Sequence, residues 1–550
     1  MEKLKFYYCI KHSKGGKILK LKFIRKVVVL IVITSFIGTS ILPGISESIN
    51  KELNHNDDEN LNISNDIDWW PKFRHDLNNT GYSETKGPST NDILWNYTFT
   101  SGQYTYTVRT SPALYDFKVY VGDGKGNLQC FQTYDGKKLW NIRLAGTCFN
   151  SPTIYNDKIY ICSGSSLFCI NLTHKIIEWG YRIGNIPLYS SPVVYEGKVY
   201  QGSNDESIYC LDAIDGNKIW DYKTGGTIYT TPAIYDDRLY IKSSRNVYCL
   251  DTNNGDEIWI SDIGETLAYS SPAIYNNKLY IGTKGIIYCL DIDTSDIIWN
   301  YETNYNWTFS SPAIAYENIF IGSDDGYNKN NGGLYCLNAN DGTKIWDFPI
   351  YGEVLSSPVV ADGKVYIASK DKLLFCLNAS SGTEIWNYTF GRSSDGPIYS
   401  SPSVVNGRLF IGSGDGNIYC FGKPNNPPNI PSTPIGEIKC KIGIEYTYST
   451  NTTDLDGDKV WYKWRWGDGS SSELLGPYNS GEICEGSHIW DEKDDYEIKV
   501  KAEDIYGAES DWSKLEISMP KNKVISSPFI KFLENHPRLF PILRYFFSMI

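Results

Sequence analysis

Several kinds of chemistry are missing from this 550-residue chain. It has six histidines and no H-E-x-x-H pair to hold a catalytic zinc, no G-x-S-x-G elbow to present a nucleophilic serine, and no phosphate-cradling P-loop. Beyond the N-terminus it has no cationic run, and its net charge is −12. Nucleic-acid binding needs a basic footprint, so that class of partner is excluded. With three methionines and little alanine or leucine, the chain is a poor candidate for a helical protein. It is rich instead in tyrosine (42 residues), glycine (48) and tryptophan (16), a balance that suits strands and turns. The expected class is all-β, and the length calls for repeats or several domains.

A repeat is present. Ser-Pro or Thr-Pro pairs start at Ser111, Ser151, Ser191, Thr231, Ser271, Ser311, Ser357 and Ser401, the first six 40 residues apart. The last two intervals are stretched by insertions in "DDGYNKNNGG" and "FGRSSDGPIYSS". Each unit reads as four short strands, as in "SPVVY", "KVYQGS", "IYCLDA" and "KIWDYKT", with Gly, Asp and Asn turns between them. Four-stranded sheets repeating near this period are propeller blades, which must stack to bury both faces. Trp140, Trp179, Trp220, Trp259, Trp299, Trp346 and Trp386 each mark an outer strand, but the last unit stops at "NIYCFG" without one. Trp95 in "DILWNYTF" precedes the first unit, and its strand is expected to complete an eight-bladed ring spanning 69–422.

Eight cysteines recur once per unit, at Cys130, Cys169, Cys210, Cys249, Cys289, Cys336, Cys376 and Cys420. Packed sheets lie about 10 Å apart, beyond the roughly 7 Å reach of a disulfide, so these read as buried free thiols. Cys148 and Cys162 fall outside this register, and no partner is assigned to either.

Two residues before each Ser-Pro or Thr-Pro pair stand Arg109, Phe149, Tyr189, Tyr229, Tyr269, Phe309, Leu355 and Tyr399. That connection leads from one outer strand to the next innermost strand and so approaches the channel mouth. A ring of six aromatics and one arginine could grip a peptide or glycan; repetition favours the alternative, packing between blades.

After a Pro- and Asn-rich linker (423–435) the composition changes, and "YEIKVKAED" alternates as a half-buried strand within a module over 436–520. In "DLDGD", Asp454, Asp456 and Asp458 could hold calcium or form a solvated turn. Cys440 and Cys484 could form a disulfide in an exported module. Residues 1–46 carry a lysine-rich stretch followed by an apolar run, read as a secretory signal or a membrane anchor, with a polar linker over 47–68. The apolar tail at 521–550, broken by Pro537 and Pro541, either packs on the module or serves in sorting or attachment. Membrane association would run through one of these two ends.

The repeats resemble the PQQ-like, quinoprotein-type repeat, whose "DAxxGxxxW" docking motif is matched by Ala213, Gly216 and Trp220, by Ala339, Gly342 and Trp346, and by Ala379, Gly382 and Trp386. Gly136 with Trp140 and Gly255 with Trp259 keep part of it. "DWWPKFRHDLNNTGYS", from Asp68, resembles the segment that introduces such propellers, and its His75 is read as a turn or capping residue. "WRWGDGSSS" with His488, Trp490, Tyr496 and Asp504 resembles a PKD-type immunoglobulin-like sandwich. The tail is similar to that of archaeal exported proteins.

The quinoprotein resemblance implies two outcomes. Its dehydrogenases hold the quinone under a vicinal disulfide, above a tryptophan and beside calcium ligands and an aspartate base. No two cysteines are adjacent here, and no insertion carries carboxylates toward the channel. PQQ is therefore not expected, and calcium in the module is the one cofactor considered. The expected protein is a monomeric, exported or surface propeller, non-catalytic, with a protein or glycan partner, similar to the propellers of outer-membrane assembly. The alternative is a PQQ- and calcium-dependent alcohol or sugar dehydrogenase.

Overall fold

A computed structural model describes residues 68–519, apart from 102–103, 106, 185–187, 265–268, 306–307, 325–331 and 392–395. The expected signal or anchor (1–46), nearly all of the polar linker after it and the C-terminal tail lie outside the described residues. The class is all-β, with eight blades and an immunoglobulin-like module. Blade 3 is typical: Val193–Tyr195, Lys198–Gly202, Ser207–Asp212 and Lys218–Lys223 pair in chain order, each antiparallel to the next. Its second strand is buried along nearly its whole length, because neighbouring blades cover both faces. Its outermost strand keeps Trp220 buried while the flanking residues reach solvent.

Blade 8 takes Ser403–Val405, Arg408–Gly412 and Asn417–Phe421 from one end of the repeat region, and its outer strand, Ile93–Thr98, from the other. Trp95 pairs with Cys420 there, the register that Trp140 keeps with Cys130 and Trp220 with Cys210. Both ends of the propeller chain thus lock one sheet, and no blade edge is left open at the seam.

Two repeated contacts close the circle. Each outer-strand tryptophan packs on the turn of the following blade. In five of these turns a glycine with positive φ lies so close to the ring that an added Cβ would stand 2.4–2.7 Å from it. The indole N–H then donates to a carbonyl of that blade: Trp95 to Thr133 at 2.9 Å, Trp220 to Thr252 at 3.2 Å, Trp346 to Ala379 at 3.0 Å. The second contact is made by the Ser-Pro and Thr-Pro pairs. Ser111 N–H donates to Ser151 Oγ at 3.1 Å, Ser151 to Ser191 at 3.0 Å, and so on round the axis, until Ser401 N–H donates to Ser111 Oγ at 2.9 Å. Proline keeps the preceding residue extended, which points each N–H tangentially at its neighbour. Eight bonds in one closed cycle fix the blade number at eight.

The channel inside this ring is filled by the segment that precedes the first blade. Carbonyls of Trp70, Pro71, Leu77, Asn78, Thr80 and Gly81 accept N–H groups of Leu114, Ile154, Ile234, Ile274, Ile314 and Val360 on six innermost strands. Tyr82–Ser83 adds to blade 7 as a short parallel strand. Arg74, His75 and Asn79 hold left-handed backbone, with φ of 65°, 75° and 57°, which curls the segment within the channel. Arg74 is buried and its guanidinium donates to the carbonyls of Pro312 and Pro358; the Asn79 amide donates to Pro232 and Pro272 at 3.0 Å each. His75 is held by Asp68 at 2.7 Å. Burial works against its charge, but the bonds to Asp68 and Asp76 prevail and keep the imidazole protonated up to about 9.

The module pairs Glu445–Asn451 with Ile483–Ile489 and packs them on a sheet of Ser471–Tyr478, Val460–Arg465, Asp495–Asp504 and Ser513–Ser518. Trp464, Trp466, Trp490 and Tyr448 fill its core. Its 505–507 turn docks on the propeller. Thr133 Oγ1 donates to the Tyr506 carbonyl at 3.1 Å, Asn406 to the Ile505 carbonyl at 3.3 Å, and the Arg408 guanidinium lies 4.4 Å over the Tyr506 ring.

One expectation is corrected here. Cys440 and Cys484 are both buried and both free. Cys440 Sγ lies 3.2 Å from the Glu437 carbonyl and 3.3 Å from the Tyr448 hydroxyl, while Cys484 sits on the neighbouring strand opposite Thr450. Each thiol has its own surroundings, so shared burial did not bring the pair together.

Candidate functional site

The ring positions identified from spacing converge on one cavity of about 480 Å³ at the mouth of the channel. Each side chain leans against the next. Phe149 stacks on Tyr189 at 5.2 Å, Tyr189 meets Tyr229 at 5.7 Å, Tyr229 meets Tyr269 at 4.9 Å, and Tyr269 meets Phe309 at 5.4 Å. The Arg109 guanidinium closes the other arc, 4.5 Å over Tyr399 and 5.4 Å from Phe149. Packing within the ring does not bury it: Tyr189 stays 40% and Tyr269 43% exposed. One surface of these rings faces a neighbour and another faces the open cup.

The floor has two parts. The eight Ser and Thr hydroxyls of the hydrogen-bonded cycle line it, and Phe73 of the channel-filling segment seals its centre. Each hydroxyl oxygen accepts one backbone N–H, and among the described residues none of the eight donates to a protein acceptor. Their hydrogens are available to a guest. Burial, with Tyr229 and Tyr189 close by, raises the Tyr269 phenol above its ordinary value, so it too stays a neutral hydroxyl.

Blade 7 breaks the pattern. Leu355 replaces the aromatic, and beside it Lys370 Nζ is paired with Glu353 Oε2 at 2.7 Å. Among the described residues the charged groups of the cup gather on one side, Arg109 on blade 1 and this ion pair on blade 7, with Tyr399 of blade 8 between them. Spacing alone located the ring. It missed Phe73, Glu353, Lys370 and the hydroxyl floor, although the Ser-Pro pairs had already marked that floor as a repeat.

The family model described as outer membrane protein assembly factor BamB matches residues 87–182, 173–327 and 330–423, together more than half of the chain. The chain belongs to this family. A PKD domain model matches residues 441–517. The outer membrane protein assembly factor BamB of Shewanella oneidensis is 27% identical over 142 residues, 23% of this chain and 36% of that protein. The match thus spans little more than a third of that relative's length. Among solved structures, BamB from Moraxella catarrhalis aligns with a TM-score of 0.51 at 17% identity, covering 60% of this chain and 99% of that one. The quinohemoprotein alcohol dehydrogenase of Comamonas testosteroni aligns with a TM-score of 0.56 at 14% identity, covering 68% and 83%. At these identities the structural likeness concerns the fold alone.

The remaining expected residues lie away from the cup. The eight tryptophans sit at the blade junctions, and the repeated cysteines are fully buried within the blades. Burial pushes those thiols up, that of Cys210 to about 12, which leaves them as inert filling. Cys162 donates to Gln201 Oε1 at 3.0 Å, and Cys148 packs against Gly122. Asp454, Asp456 and Asp458 cluster in the module, which docks at the far end of the innermost strands from the cup.

Proposed function

We propose that this protein is an exported, non-catalytic propeller that binds a protein partner of the cell envelope and seats an aromatic or apolar segment of it in the cup. The observation that carries this reading is the cup itself: exposed aromatic faces over a floor of hydroxyl donors, with a charged sector to orient the guest. Aromatic side chains with a polar tip are the residues that dominate binding hot spots. Membership of a family described as an assembly factor supports a scaffolding role. Export rests on the N-terminal sequence, and the PKD-type module fits a spacer outside the cytoplasm.

The dehydrogenase reading is favoured by the fold likeness to alcohol dehydrogenases, but the residues of the cup do not fit a quinone with its metal ion. Adjacent cysteines are lacking in the sequence. Among the described residues Glu353 is the one carboxylate lining the cup, and Lys370 already neutralises it. The segment around Phe73 occupies the place beneath.

The test is crosslinking and capture from envelope fractions with the full chain and with Tyr229→Ala/Tyr269→Ala. We expect the parent to retain a defined envelope protein and the double variant to lose most of it while remaining folded. Retention of a glycan instead would replace the partner class. Dye-linked oxidation of alcohols or sugars after addition of PQQ and calcium would overturn the reading outright.

A further inference from the structure

The 454–458 loop of the module places three carboxylates so that one oxygen from each lies within 4.8 Å of the others. Among the described residues no lysine or arginine forms an ion pair with any of them. Asp454 is fixed by its surroundings. Its Oδ1 accepts the N–H groups of Asp456 at 2.8 Å and Asp458 at 3.1 Å, and its own N–H donates to Ser480 Oγ at 2.9 Å. The side chain is therefore held in place with its second oxygen, Oδ2, buried and without a hydrogen-bond partner, on a residue only 6% exposed. A carboxylate oxygen in that condition is destabilising unless something positive meets it.

A second buried oxygen without a partner belongs to the linker. Asn425 donates through Nδ2 to Asp504 Oδ2 at 2.6 Å, and its amide oxygen, Oδ1, is left unpaired. The next residue, Asn426, donates its N–H to Asp456 Oδ2 at 2.6 Å, so the linker is already bound to the carboxylate cluster. The donors shown to converge are all carboxylate oxygens, and the unpaired amide oxygen of the linker would add a further oxygen. That set suits a hard cation with loose geometry, calcium above magnesium, and not zinc, which takes nitrogen and sulfur.

We propose that Asp454, Asp456 and Asp458, with the Asn425 amide oxygen, bind one calcium ion that ties the linker to the module beside its docking turn. Asp504, bonded to Asn425, also accepts the N–H groups of Tyr506 and Ala508 through Oδ1, and Tyr506 is the residue that lies under Arg408 of the propeller. The ion therefore stiffens the junction between propeller and module. This inference is independent of what the cup binds.

The experiment titrates the EDTA-stripped full chain with CaCl2, and separately with MgCl2, by calorimetry, with terbium emission sensitised by nearby aromatic residues as a second readout. We expect one calcium per chain, with a Kd at or below about 10⁻³ M, as in extracellular modules, and weaker magnesium binding. Calcium should also slow proteolysis within 423–435. Asp454→Asn tests the buried ligand but could disturb the loop. Asp456 is exposed, so Asp456→Asn, checked by unchanged melting in EDTA, serves as the folding-neutral variant and should weaken binding by about tenfold or more. Absence of saturable calcium binding, or equal affinity in Asp456→Asn, overturns the site. Unchanged affinity in Asn425→Ala overturns the part played by the linker.

Discussion

Blade 7 offers a pair of glycines that isolates the energy of blade docking. Gly363 and Gly382 hold nearly the same left-handed backbone, φ +68° and +69°. A methyl group on Gly363 would meet nothing within 4 Å. On Gly382 it would stand 2.6 Å from Cδ2 and 2.7 Å from Cε3 of Trp346, a ring 9% exposed whose N–H is tied to Ala379 at 3.0 Å. Alanine at either site carries the left-handed backbone cost, about 1 kcal/mol after the gain from a stiffer unfolded chain. At Gly382 forced repacking adds about 1–3 kcal/mol. Gly363→Ala should therefore cost about 1 kcal/mol and Gly382→Ala about 2–4 kcal/mol, read from the propeller transition in urea by tryptophan fluorescence. Trp346→Phe in the Gly382→Ala background should recover part of the loss, since the smaller ring leaves room for the methyl. Equal losses at the two glycines, or no coupling to Trp346, would refute the claim that contact between ring and turn holds adjacent blades together.

Twelve described cysteines are buried and free, so N-ethylmaleimide should label none of them in the native protein and all of them in denaturant without reductant. Mass spectrometry reads the count, and a shortfall of two restored by reductant would mean that Cys440 and Cys484 pair after all. The module junction should respond to pH. Burial, then the charge of Glu509, pushes Glu503 from its ordinary 4.5 up to about 7, and burial pushes Asp504 from 3.8 to about 6. Both folded values lie above the unfolded ones, so the folded chain binds more protons and stability falls as pH rises from about 4 to 7. Glu503→Gln should flatten that decline in melting temperature, and an unaltered profile would count against the assignment.

What could be read in the sequence was whatever the blade must repeat. A tryptophan every forty residues or so, a turn glycine and a Ser-Pro pair recur because every junction solves one packing problem. Even the departures obey it: Lys175 and Ser295 stand where other blades have glycine, and both adopt left-handed backbone, φ 57° and 64°. The channel-filling segment was far less legible. It binds six strands through backbone carbonyls, which leave no side-chain period to find, and the side chains of Arg74 and Asn79 add bonds to four more blade carbonyls. The disulfide expectation failed for a related reason. Cys440 and Cys484 share a core, but a disulfide depends on a distance that neither strand pattern nor burial specifies. The cup lay between these cases, its rim visible as a period and its charged side hidden within blade 7.

That hidden side bears on specificity. A ring built eight times from nearly the same residues offers a guest many equivalent orientations, so the aromatic rim alone can hold but not orient. Orientation requires that the symmetry be broken, and it is broken on one arc. Leu355 removes an aromatic there, the Glu353–Lys370 pair adds both signs of charge, and Arg109 adds a further cation two blades away. The segment beneath breaks it again, since Phe73 closes the floor and leaves the cup one open mouth. On the proposed reading, a guest's polar end would lie toward blades 7, 8 and 1 and its apolar part against Tyr189, Tyr229 and Tyr269. On that reading the repeat would supply the aromatic socket, and its few irregular residues would select what fits.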